Sequence, residues 1–167
     1  MRPIALCLFV LACAGGVQAQ TPPCGAEYHL FDFWIGDWEV YAGDTKVGDN
    51  TIQPILDGCV LQEMWTGAKG TKGTSLNYYN PATKQYHQFW VYRDGTPLPL
   101  MSGTYHADGR KMVLSGLGTQ PDGTQLMHRI TWTHNRDDTV RQYWENSTDG
   151  GTTWTVAFDG LYKKKGG

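Results

Sequence analysis

Residues 74–95 read TSLNYYNPATKQYHQFWVYRDG. Positions 74–79 and 85–92 are dense in Tyr, Trp, Phe, Val and Thr, the residue types that suit a pleated, half-buried surface. Between them Asn80-Pro81 is a turn signal, and Arg93-Asp94-Gly95 ends the second segment with another. Parallel strands need a crossover of a dozen residues or more, so two segments this close are expected to pair as an antiparallel hairpin.

The same alternation runs outward in both directions. Turn signals recur at Gly43-Asp44, Asp57-Gly58, Lys69-Gly70, Asp108-Gly109, Asp122-Gly123, Asp137-Asp138 and Asp149-Gly150. They delimit expected strands at 38–42, 48–54, 60–66, 74–79, 85–92, 101–106, 111–116, 126–133, 140–147 and 153–162. An all-β meander of about ten antiparallel strands must leave two long edges or close on itself. Closure removes the edges and encloses room for one small ligand, so a closed barrel is the expected architecture. Residues 26–35 (AEYHLFDFWI) lack the period of two. They read as a short helical or 3₁₀ plug, which Gly36 joins to the first strand.

The chain before the plug reads as a leader. Arg2 supplies a positive charge, residues 4–14 are nearly all apolar, and Val17-Gln18-Ala19 has the small-x-small pattern of a signal-peptidase site. The expected organisation is a signal peptide over 1–19 and a single barrel domain over 20–167, secreted or periplasmic. A lipid anchor at Cys13 is the alternative, with Leu11 standing where that pattern prefers a small residue. Cleavage would remove Cys7 and Cys13 and leave Cys24 and Cys59, which in an exported protein are expected to form a disulfide. The mature chain carries sixteen acids against thirteen bases. Its one basic run, Lys163-Lys164-Lys165, is terminal, so a nucleic-acid partner is not expected, and neither is a membrane span.

Three expected strands repeat a polar residue, a spacer and a Trp: Glu63-Met64-Trp65, Gln88-Phe89-Trp90 and Gln142-Tyr143-Trp144. A period of two puts each polar group on the same face as its Trp, and a fourth strand adds His128 and Trp132. Three outcomes stay open. The Trp residues line a pocket for a small apolar or aromatic ligand, they fill the barrel, or some of them face outward. On the pocket reading, Glu63, Trp65, Gln88, Trp90, His128, Trp132, Gln142 and Trp144 bind the ligand. An enzyme of isomerase, cyclase or lyase type would use Glu63 as acid or base, with desolvation raising its pKa. No metal site and no cofactor are expected, since the histidines lack ligand spacing. A haem held by His128 is the alternative. A Glu63–Glu145 pair would require agreeing faces. A protein-interaction module would instead show a large apolar surface patch.

Residues 147–154 (STDGGTTW) resemble the Asp-box turn of sialidase-type propellers. Occurring once in so short a chain, the motif reads as a structural turn: Asp149 caps backbone amides, Gly151 allows positive φ, and Trp154 packs over it. Gly36-Asp37-Trp38 resembles the G-x-W signature of lipocalins and the wider calycin group. The resemblance implies that Trp38 packs across the closed end of a barrel against a basic residue of the last strand, here Lys163 or Lys164. Nearly all of the mature chain also resembles a group of uncharacterised secreted bacterial proteins. The shared runs are close to FDFWIGDWEV, ILDGCVLQEMW, SLNYYNP, RITWT, VRQYWENSTDGGTTW and FDGLYKK. That resemblance implies a fold and brings no activity.

Overall fold

Inward and outward side chains alternate along most strands of the computed structural model, which describes residues 24–120 and 122–166. The expected leader, with Cys13, lies outside the described residues. The strands are β1 (Gly36–Ala42), β2 (Thr45–Ile55), β3 (Val60–Gly67), β4 (Lys72–Asn80), β5 (Gln85–Tyr92), β6 (Pro97–Leu100), β7 (Ser102–His106), β8 (Lys111–Thr119), β9 (Gln125–His134), β10 (Val140–Ser147) and β11 (Thr155–Lys164). Each chain neighbour pairs antiparallel except at one seam, and β1 pairs with β11 from Trp38↔Lys164 to Tyr41↔Leu161.

The expected ten strands are eleven, because residues 97–100 (PLPL) form β6. Prolines argue against a strand in sequence, yet an edge strand tolerates them where no ladder N–H is needed. β6 and β7 flank Met101 and form one bent segment. Its first half pairs with β5, from Val91↔Pro97 to Gln88↔Leu100. Its second half pairs with β8, from Ser102↔Ser115 to His106↔Lys111. The segment thus draws the two sheet edges together into a nearly closed barrel. At the seam a Cβ on Gly116 would collide with the Pro99 carbonyl oxygen, so the approach of β8 to β6 requires glycine there.

One end of the barrel is sealed. Two 3₁₀ turns, Ala26–His29 and Asp32–Trp34, carry Phe31 and Trp34 into the core. Phe31 stacks on Trp34 with centroids 5.1 Å apart, and both rings contact Trp132 at 5.3 Å. Trp38 is fully buried, donates its indole N–H to the Trp34 carbonyl at 2.9 Å, and lies beneath the Lys164 ammonium at 5.4 Å. The Cys24–Cys59 disulfide ties the plug to the start of β3. Gly36, at φ 146°, turns the chain from plug into β1. On the outer wall Met64, Leu76 and Phe89 are each about 40% exposed, and Leu76 and Phe89 are cross-strand partners. Among the described residues no helix is long and apolar enough to cross a membrane.

Candidate functional site

Inward-facing residues of β3, β5, β6, β9, β10 and β11 leave a cavity of about 260 Å³ above the sealed end. Its wall is apolar: Trp65, Trp90, Tyr92, Trp144 and Phe158, with Leu98 and Ile130. These aromatic rings are half-buried, and they rim a mouth beside exposed Ala157. The polar lining groups are Glu63, Gln88, Gln142 and Tyr162. Space for the rings comes from glycine on the neighbouring strand. A Cβ on Gly48 would collide with Trp65, and one on Gly73 with Trp90, so each indole covers a glycine diagonally across the ladder.

Glu63 is the chemical centre. Its carboxylate is buried, and its oxygens accept from Asn50 Nδ2 at 2.7 Å and from Ser75 Oγ at 2.6 Å. Cross-strand register sets both contacts: Glu63 faces Ser75 directly, and Asn50 is the partner of Trp65, two residues along. Ser75 Oγ in turn accepts from Asn77 Nδ2 at 2.8 Å, and Gln88 Nε2 donates to Asn77 Oδ1 at 2.8 Å. On the other side Asn50 Nδ2 lies 3.4 Å from the Tyr162 hydroxyl, which donates to Gln142 Oε1. The network therefore spans six strands and contains no cation.

Burial decides its protonation. Removal from water pushes the Glu63 carboxyl up to about 7, against the smaller opposing pull of the Ser75 and Asn50 hydrogen bonds. Burial, and then the Glu63 charge, hold the Tyr162 hydroxyl well above its ordinary range, so it stays neutral. Burial likewise raises Tyr92. Two buried polar atoms in this region find no partner, Asn50 Oδ1 and Trp90 Nε1.

Residues 25–164 match a family described as a protein of unknown function, DUF1579. The chain belongs to that family. No curated relative matches it.

In this DUF1579 barrel the eight expected binding residues divide. Glu63, Trp65, Gln88, Trp90, Gln142 and Trp144 converge on the cavity, whereas His128 and Trp132 are not among its lining residues. Trp132 sits in the sealed-end cluster with Phe31 and Trp34. His128 stands behind Trp144 and accepts the indole N–H on Nδ1 at 3.1 Å, while its Nε2 lies against Gly118 of β8. Burial lowers its pKa, which keeps it a neutral acceptor for Trp144. Glu145 faces outward and pairs with Arg129 at 2.9 Å, so it is no partner for Glu63. Among the described residues no group of three or more His, Cys, Asp or Glu is arranged around a possible metal ion.

The Asp149 turn is structural in its contacts. The carboxylate accepts from the Thr152 and Thr153 amides at 3.0 and 2.8 Å and from the Ser147 and Thr153 hydroxyls, which holds its pKa down at about 2. Trp154 donates to the Gly151 carbonyl at 2.9 Å, and Gly151 has φ 90°.

Sequence reasoning missed Asn50, Ser75 and Asn77, the partners that hold Glu63 and Gln88, and also Tyr162. Each lies on the inward parity of its strand, but only the register between hairpins reveals which of them meet.

Proposed function

We propose that this is a secreted or periplasmic calycin-like barrel that binds a small, largely apolar or aromatic molecule in its Trp-lined lumen. The observation that carries the reading is the cavity itself, an aromatic wall over a few hydrogen-bonding groups, open at one end and sealed at the other. That is the composition of small-molecule sites. At about 260 Å³ it lies just below the roughly 300–1,000 Å³ typical of drug-sized ligands, which favours a single-ring or short aliphatic ligand. The leader pattern and the Cys24–Cys59 disulfide support export. The acidic balance supports a partner other than nucleic acid.

A second reading has its own observation. A carboxyl raised to about 7 beside a cavity is poised for general acid–base work, so Glu63 suits an isomerase, cyclase or lyase acting without a cofactor. Native mass spectrometry of the protein purified from the periplasm, with its absorption spectrum, tests the binding reading. A co-purified mass lost on denaturation supports it, and a Soret band would identify haem instead. A clean apo mass, combined with no tryptophan quenching by small aromatic probes, would overturn it.

A further inference from the structure

The cavity holds a buried carboxyl group and no base. Glu63 is opposed by Asn50 from β2, Ser75 and Asn77 from β4, Gln88 from β5, Gln142 from β10 and Tyr162 from β11, all of them neutral. The other titratable lining groups are Tyr92 and Tyr162, and no Lys, Arg or His lines the space. A buried carboxylate with only neutral donors is undercompensated, since two hydrogen bonds do not replace the solvation it has lost. Beside it Asn50 Oδ1 is a second buried acceptor without a donor. The ligand that would complete this set brings positive charge and N–H donors. The wall suits the same ligand, because the indoles of Trp65, Trp90 and Trp144 offer π faces that attract cations. An anion would meet Glu63 with like charge, and a neutral ring would leave the carboxyl uncompensated.

We propose that the lumen is a receptor for a small aryl- or alkyl-ammonium, with Glu63 as its counter-ion and Trp65, Trp90 and Trp144 as its aromatic cage. The proposal rests on the lumen-binding reading and names its ligand class. Binding is coupled to a proton. The free carboxyl is partly protonated near neutral pH, so the incoming ammonium displaces that proton to solvent and leaves a carboxylate–ammonium pair. Affinity therefore rises with pH through about 7, until the amine itself deprotonates.

The test is a charge series on one ring: 2-phenylethylamine, 2-phenylethanol and 3-phenylpropionate, titrated by tryptophan fluorescence at about pH 7.5. The amine is expected to bind roughly tenfold or more tighter than the alcohol, and the propionate more weakly than either. Glu63→Gln should bring amine and alcohol within about twofold of each other. In the wild-type chain, amine affinity should fall roughly tenfold between about pH 8 and about pH 6, while alcohol affinity stays flat. That series reads the same coupling even where the variant does not fold. Alcohol binding as tight as the amine, or amine affinity that ignores pH, overturns the ammonium assignment and leaves lumen binding intact. Quenching by none of the three, together with a clean apo mass, removes both.

Discussion

Folding takes the Glu63 carboxyl out of water and gives it neutral partners, so its proton is held more tightly in the folded chain than in the unfolded one. The ordinary value is 4.5 and the folded value about 7. Between those values the folded state binds the extra proton, so this group's contribution to stability falls as pH rises from 4.5 to about 7 and stays low above that. The integrated loss is on the order of 3 kcal/mol. His87 and His128 act in the opposite sense, because burial lowers both below 6.5 and their contribution is lost as pH falls through that range. A wild-type stability profile alone would mix these effects. The difference from Glu63→Gln isolates the carboxyl. Urea unfolding should show the variant gaining on the wild type by on the order of 3 kcal/mol between about pH 4.5 and about pH 8. A difference that does not change with pH would mean that Glu63 titrates as a solvated acid.

At the scale of elements, a large ring on one strand is matched by a missing side chain on the next. Trp90 covers Gly73 and Trp65 covers Gly48, so the cavity wall depends on pairs drawn from different strands. Gly73→Ala forces the Trp90 ring off its seat. Overpacking of this kind costs about 1–3 kcal/mol, and the displaced indole should change the emission spectrum alongside the denaturation midpoint. Unchanged emission would show that the ring does not depend on that glycine. The pattern of strands was legible because alternation and turn residues are local. Strand β6 was not, because Pro97 and Pro99 erase the local signal and pairing at the seam decides the outcome. The polar-x-Trp repeat correctly brought Glu63, Gln88 and Gln142 to one surface with Trp65, Trp90 and Trp144. Asn50 and Ser75 escaped notice because their meeting with Glu63 is a property of register, which depends on every turn between them. Trp132 and His128 share the inward parity, yet one packs against Phe31 and Trp34 of the plug and the other against Trp144, contacts that parity does not carry.

For the molecule as a whole, the two ends have different tasks. The plug, with Phe31, Trp34 and Trp38 and the Cys24–Cys59 bond, seals one end, so the cavity that Glu63 lines opens at the other. That mouth is shaped by an irregularity. The pairing of β10 with β11 shifts between Trp144 and Glu145, whose partners are Phe158 and Val156, and the residue left between them is Ala157. A bulge there turns an exposed alanine onto the rim of the cavity. Perturbing each end separately should divide stability from access. Reducing the disulfide releases a loop with a sequence separation of 35 and should lower stability by about 3–4 kcal/mol, with little effect on probe affinity while the chain stays folded. Ala157→Trp should do the reverse. The alanine is exposed, so the unfolding midpoint should hold within about 0.5 kcal/mol. The added indole would stand across the mouth between Trp144 and Phe158, and probe association measured by stopped-flow tryptophan quenching should slow by about tenfold or more. Unaltered association in Ala157→Trp, with faster association in the reduced protein, would place the route of access at the plug instead.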